Sequence, residues 1–377
     1  MLYSHRGFCF LLIAAIISFS FYPDPSKADP VGLVTGPKTG TYIAMGRDIA
    51  ELAKSQKIDV EVKDSSGSID NIKRITSGEK ASIGIVQSDV LGFLSRSQNP
   101  ESIKIAQKMR MIFPLHNEEI HVLARKEIAS FSDLNGKRVI VGTEGSGNML
   151  TSVNLFSLMG IVPDKMFKVE PTKGIVAVLN NEADAIIFVG GKPVRMFKNM
   201  EELTGLKDGP DAGKLDQVHF LPLNDPRLLK EYAASTITGY DYNYVKEPVP
   251  TIAVTAILMA YDFSPQDNKY RKNQCENITQ LSRLIRSNMD QLQSKGHPKW
   301  KEVNLNTSVG FWEKDKCAWS EAALKPLNSE HSLEKDLISI VRNRASNAEQ
   351  KSVLPSAPVV AQPVPPTAPI PPMAPAR

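Results

Sequence analysis

Five short segments gather the residues whose types could hold or convert a small molecule. The first is Gly36-Pro37-Lys38-Thr39-Gly40-Thr41-Tyr42, set between an apolar run and a helical pattern. The second, Ser65-Ser66-Gly67-Ser68, stands in the same position ahead of Ile69-Asp70-Asn71. Val86-Gln87-Ser88-Asp89 ends a third apolar run. Gly142-Thr143-Glu144-Gly145-Ser146-Gly147-Asn148 and Val189-Gly190-Gly191-Lys192-Pro193 repeat the arrangement further along. Glycine lets a backbone approach a guest closely, and the first amides of a helix favour an anionic group. Gln87 can donate and accept a hydrogen bond, whereas an ionised Asp89 can only accept. Each segment alone also fits a plainer role: Ser68, Ser88 or Asp89 would serve equally well as a helix cap.

Bond-making chemistry finds little support. The first segment nearly imitates a phosphate-binding loop, with Gly32 ahead of Pro37-Lys38-Thr39. Proline stands where that motif needs its second glycine and removes an amide donor. No Gly-x-Ser-x-Gly nucleophile turn is present. His116 and His121 lie five apart in HNEEIH, not the four apart that places two metal ligands on one helical face. An odd spacing in a strand sends them to opposite sides of the sheet, so hinge or strand surface is their expected setting. No nucleophile–base pair is identifiable. The reading is a binder rather than an enzyme, with no cofactor and no metal.

The elements that must position these segments follow a regular rhythm. Strand patterns are expected at Val31–Thr35, Val60–Val62 and Ile83–Val86, with helical patterns at Thr41–Lys54, Ile69–Thr76 and from Asp89 to Leu94. The alternation restarts with strands at Ile120–Arg125, Val139–Val141 and Ala183–Val189 and helices at Met149–Leu158 and Ile175–Asn180. Such alternation predicts a mostly parallel α/β sheet. Two copies of one architecture are expected rather than one continuous sheet. Two glycine-bearing turns, one per copy, would then face each other across a cleft. Thr251–Tyr261 has the length of a buried strand, and Gln274–Leu292 is periodic like a single helix.

The ends of the chain differ in kind. Residues 1–28 read as a signal peptide: His5 and Arg6, an apolar run from Phe8 to Phe21, then small residues before a cleavage site near Ala28. Export places the mature chain in the periplasm and removes Cys9. Cys275 and Cys317 then form the one possible pair, and an oxidising compartment favours joining them; two free buried thiols are the alternative. Residues 327–352 are a charged segment with a helical pattern. In residues 353–377 nine of 25 residues are proline, which predicts an extended, disordered tail. With 377 residues and a net charge of +4, the chain carries no dense basic block. That argues against a nucleic-acid partner.

Taken in order, GPKTGTY, SSGSIDNI, GIVQSD, DLNGKRVIVGTEGSG and ADAIIFVGGKPV resemble the TAXI branch of TRAP-transporter solute receptors. The resemblance runs from about Pro30 to Trp319. It implies a two-lobed periplasmic binding protein type II fold with a hinge and a central cleft. One lobe would combine residues 29–118 with 252–326, and the other would hold 119–251. The hinge would lie near Leu115–Val122, which contains Glu118, and Pro250–Val254. Carried over by motif, the ligand-binding residues would be Gly40, Thr41 and Tyr42; Ser66, Gly67 and Ser68; Gln87 and Asp89; Gly145, Ser146 and Gly147; and Gly191 with Pro193. The implied function is capture of a small carboxylate-bearing solute, such as glutamate or a related organic acid, and its delivery by a monomeric receptor to a membrane permease. A non-transport role also fits, since some relatives are known mainly as immunogenic envelope proteins. No arginine falls among the residues carried over, so an anion would rely on helix dipoles with Lys38 or Lys192. Gly296-His297-Pro298-Lys299 is placed unlike the His-Pro segment of many relatives.

Overall fold

The structure is a computed structural model that describes residues 30–56, 58–79, 81–203 and 212–327. The expected signal peptide, the proline-rich tail and all but the first residue of the segment 327–352 lie outside the described residues. The chain divides into two units, Met1–Lys325 and Pro326–Arg377. Every element below belongs to the first.

The chain opens with β1 (Val31–Val34), α1 (Thr41–Lys54), β2 (Val60–Lys63), α2 (Ser68–Thr76) and β3 (Ile83–Gln87). Two helices, α3 (Val90–Ser95) and α4 (Pro100–Lys108), lead into β4 (Met109–Arg125). Beyond it lie β5 (Arg138–Ile140), α5 (Gly147–Met159), β6 (Lys165–Phe167), α6 (Pro171–Leu179) and β7 (Ala185–Gly190). Then come the one-turn helices α7 (Arg195–Lys198) and α8 (Met200–Leu203), followed by β8 (Val218–Phe220), β9 (Ala233–Ile237) and β10 (Val249–Tyr261). The last helices are α9 (Lys269–Ser287), α10 (Met289–Lys295) and α11 (Glu321–Leu324).

Pairing runs β2-β1-β3-β10-β4-β7-β5-β6, with β8 on β4 and β9 on β10. The trio β2-β1-β3 is parallel, and so is β7-β5-β6. Fully apolar runs such as Val31–Val34 suit strands buried on both faces. Between the trios lie the antiparallel strands β4 and β10, of 17 and 13 residues. Each is long enough to serve both trios. Residues 256–260 of β10 pair with β3 and 249–253 with β9, while residues 119–124 of β4 pair with β7. This corrects the expectation of two separate sheets: two three-stranded copies exist, but hydrogen bonding continues through the shared strands. The result is a mixed α/β fold, as the resemblance implied.

The ladder is irregular where the strands change partners. Thr255 faces Asn117 but Ile257 faces Pro114, so β4 spends one extra residue at Leu115–His116. A bulge of this kind bends a strand and increases its twist. Separate apolar clusters fill the two sides. Val34, Ile72, Val86, Met111 and Ile257 pack together on the β3 side. Val122, Phe131, Val139, Leu155 and Ile187 pack on the β7 side.

The helical pattern from Gln274 to Leu292 is two helices rather than one. At Asn288 the backbone leaves helical geometry, and the side-chain amide donates to the Leu284 carbonyl at 2.9 Å. Asparagine competes for backbone groups in this way and so ends helices. Cys275 of α9 is bonded to Cys317, with Cα atoms 5.3 Å apart. The bond closes a sequence separation of 42 residues, for which chain entropy gives about 4 kcal/mol. The paired variant Cys275→Ala/Cys317→Ala should keep the fold and lose about that much stability in urea unfolding. An unchanged midpoint would show that the bond contributes nothing.

Candidate functional site

Turns from both sides of the sheet meet at a cavity of about 920 Å³. Its first wall is the start of α1. Gly40 occupies the N-cap with no side-chain cap, and a turn is closed by its amide on the Pro37 carbonyl at 2.8 Å. The opening amides of a helix have no carbonyl partner within it, so those of Thr41 and Tyr42 are left to other groups. The second wall is the start of α2, whose N-cap is Gly67 at φ 122°. That left-handed-side backbone is open to glycine at low cost. The Gly67 amide donates to the Ser65 hydroxyl at 3.1 Å, and the Gln87 amide donates to the Ser68 hydroxyl at 3.0 Å. Ser68 is thus the first helical residue rather than the cap. The Ser65 amide donates to the Gly36 carbonyl, tying the two turns together.

The opposite wall begins at α5. Ser146 caps this helix, accepting from the Met149 amide at 3.2 Å while donating to the Thr143 carbonyl at 2.7 Å. Glu170, Pro171 and Thr172, at the start of α6, complete that side. The strand end at β7 continues as Gly191-Lys192-Pro193, with a cis bond before Pro193. This loop is held from behind. The Lys192 amide donates to Glu119 at 3.0 Å, and the Val194 amide donates to the Tyr242 hydroxyl at 2.9 Å. That hydroxyl lies 2.8 Å from Nε2 of His121.

Eleven of the thirteen residues expected from the sequence line the cavity: Gly40, Thr41, Tyr42, Ser66, Gly67, Ser68, Gln87, Ser146, Gly147, Gly191 and Pro193. Asp89 and Gly145 do not. Asp89 is buried against α5, and Gly145 turns its carbonyl to the Asp70 amide at 3.4 Å. Of the two lysines considered for an anion, Lys192 lines the cavity and Lys38 does not. Its ammonium is already engaged, by Asp241 at 3.4 Å and by the Thr236 carbonyl. His297, Pro298 and Lys299 also line the wall. They are anchored by the His297 amide and the Trp300 indole, which both donate to Asp48.

Sequence reasoning placed Glu118 in the hinge without giving it a site role, yet it lines the cavity. The Tyr42 hydroxyl donates to its Oε2 at 2.6 Å, and Nε2 of His116 lies 3.8 Å from Oε1. Burial pushes the Glu118 carboxyl up to about 7, against the Tyr42 hydrogen bond, which lowers it. His116 is also buried, and its ring is held down at about 3 by loss of water and by the charges of Lys299 and His297. Neither His116 nitrogen has a hydrogen-bond partner among the described residues. His121 is fully buried among Phe188, Phe197 and Phe220. Both histidines are therefore interior, not on a strand surface as expected. Among the described residues no group of three His, Cys, Asp or Glu could hold a metal ion. No helix there is long and apolar enough to cross a membrane.

Comparison with known proteins adds a family and likenesses of fold. A model described as the NMT1-like family matches residues 33–310. The GluR0 ligand-binding core from Nostoc punctiforme, solved with L-glutamate, is 16% identical over 71% of this chain and 99% of its own, with a TM-score of 0.38. A Candida albicans protein that defines a family with the generic periplasmic binding protein fold is 13% identical over 78% of this chain and 87% of its own (TM-score 0.41). MatC from Rhodopseudomonas palustris, with bound malate, is 13% identical over 70% and 88%, with a TM-score of 0.39.

The raised Glu118 carboxyl has a sign that can be tested. A carboxyl raised by folding stabilises the fold below its unfolded value, near 4.5, and that contribution is lost as pH rises through about 7. Once ionised, the buried group costs about 3 kcal/mol. Glu118→Gln removes that cost and leaves the other titrating groups in place. Its melting temperature relative to wild type should climb by several degrees between pH 5 and pH 8. A difference that stays flat, or falls, would mean that Glu118 titrates normally.

Proposed function

From the premise that this chain belongs to the NMT1-like family, we propose that it is an exported solute receptor of the TAXI type. It captures a small carboxylate-bearing solute, such as an amino acid or related organic acid, and hands it to a TRAP membrane permease. One observation carries this reading: the starts of α1, α2, α5 and α6 converge on a single cavity with contributions from both sides of the sheet. Each helix start presents amide donors and a partial positive charge of roughly half a unit. Together they suit an anion without a dedicated arginine. Serine and threonine hydroxyls and the Gln87 amide supply the remaining donors and acceptors. Arg195 and Lys299 stand on the wall as further cations, Lys299 paired with Glu302 at 2.6 Å.

We assign one lobe to residues 29–118 with 252–326 and the other to 119–251. In support, β4 and β10 pair through Glu118–Glu119 opposite Val254–Ala253, where both strands pass from one trio to the other. Closure about this crossing would remove the guest from water, which strengthens every dipole aimed at it. Binding needs no bond to be made or broken, and the residues around the cavity are donors and acceptors rather than a nucleophile with its base.

The cleaved protein should show ligand-induced thermal shifts with a subset of amino acids, dicarboxylates and keto-acids. Tyr42→Ala and Gln87→Ala should each abolish that shift while remaining folded by circular dichroism. Retention of the full shift in both variants would move the binding site elsewhere.

A further inference from the structure

We propose that the cleft is clasped shut by contacts between its own walls, with Asp89 as a positioning residue and Gly147 as the point of closest approach. Asp89 follows β3, and its partners come from the other side. The Thr151 hydroxyl of α5 lies 2.8 Å from Asp89 Oδ2. The Tyr232 hydroxyl, just before β9, donates to the same oxygen at 3.1 Å. The Asn154 side-chain amide donates to the Asp89 backbone carbonyl at 3.3 Å and stands 3.4 Å from Oδ2. A bidentate pair reinforces the group from outside: Arg96 meets both oxygens of Glu231, and its second nitrogen donates to Asn154 at 3.1 Å. Leu150 of α5 packs into the apolar cluster of the β3 side, with Ile72, Val86 and Ile257.

Gly147 shows how closely the walls fit. A Cβ at this position would lie 2.1 Å from Oε1 of Gln87, which belongs to β3. The backbone of Gly147 is helical, so no special dihedral demands glycine there. The obstacle to a side chain is the buried carboxamide of Gln87, so a Cβ requires either that this side chain turn aside or that the walls separate. Gly67 makes the reciprocal contact, since its Cβ would lie 3.2 Å from the Gly147 amide.

These contacts form only when the walls meet, so they favour the closed form whether or not a guest is present. A ligand shifts a conformational equilibrium only by its differential affinity for the two forms. Asp89, Thr151 and Tyr232, which do not line the cavity, thus join Gly147 and Gln87 on its wall in determining how much of that work is left to the guest. Asp89, carried over from the sequence as a ligand contact, acts instead through Thr151 and Tyr232.

Pulsed electron spin resonance distances, taken without any added solute, test the clasp independently of what the cleft binds. Spin labels go on Ser77→Cys and Glu182→Cys, both exposed and beyond the far ends of α2 and α6, in full-length protein carrying Cys9→Ser. The parent should show one dominant short distance. Gly147→Ala, which suits a helix better than glycine, should move most molecules to a longer distance. Thr151→Val and Tyr232→Phe should each shift the closed-to-open ratio by about tenfold, as expected for a lost hydrogen bond to a charged group. Thr151→Ser keeps the hydroxyl and should restore the parent distribution. A parent that is mostly open, or Gly147→Ala and Thr151→Val both matching the parent, overturns the clasp. Either result would leave solute binding itself untouched.

Discussion

The antiparallel ladder between β4 and β10 is the interaction from which the rest follows. β10 adds to the trio that ends in β3, β4 adds to the trio that begins with β7, and the two are bonded to each other. Because the trios share hydrogen-bonded strands, their carboxyl ends are brought to a common seam. Ligand sites in open α/β sheets form beyond those ends. Here two such ends meet, and the turns that leave β1, β2, β5, β6 and β7 are delivered to the same cavity. The extra residue at Leu115–His116 relieves strict register at the place where the strands change partners. It also sets Glu118 on the cavity wall within reach of Tyr42.

The electrostatics of the seam follow from that geometry. Helix starts point inward because each helix follows a strand whose carboxyl end faces the cavity. Their dipoles add positive potential to that of Lys192, Arg195 and Lys299 on the same wall. Two carboxyls at the seam, Glu118 and Asp89, are both buried and both raised, to about 7 and about 6. Neither has a cationic partner that would hold it ionised. Hydroxyls donate instead to one oxygen of each, Tyr42 to Glu118 Oε2 and Thr151 with Tyr232 to Asp89 Oδ2, while Asp89 Oδ1 has no partner among the described residues. A buried carboxyl served by neutral donors needs less compensating charge than one placed against an arginine.

How far the sequence reached depended on how local each signal is. Strand, turn and helix alternate within a few residues, so the turns at Gly40, Gly67, Ser146 and Gly191 were legible, and so was their meeting across a cleft. The pairing of Cys275 with Cys317 was legible because the expected removal of Cys9 with a signal peptide leaves a single possible pair. What could not be read was anything set by long separations. Asp89 meets Thr151 62 positions away and Tyr232 143 positions away. No periodicity marks either partner. Asn71 was passed over for the same reason, although its side chain ties the ends of β1 and β3 by donating to the Thr35 and Ile85 carbonyls. His297 and Lys299 looked misplaced in the chain, yet Asp48 draws that segment onto the cavity wall. The single-sheet connectivity was hidden because strand length, not composition, decides whether two copies share a ladder.

Glycine enters this site for two separable physical reasons. At Gly67 the backbone dihedral itself calls for glycine, in addition to the close approach of Gly147. At Gly147 the dihedral is ordinary, and only the opposing Gln87 forbids a Cβ. The first kind of glycine constrains folding; the second constrains closure alone. A sequence reading sees both as the same letter in a flexible turn. The structure separates them, because in one case the conflict is with the residue's own chain and in the other with a wall that can move away. A site built from both kinds can hold its turns rigid while leaving the contact between them free to open.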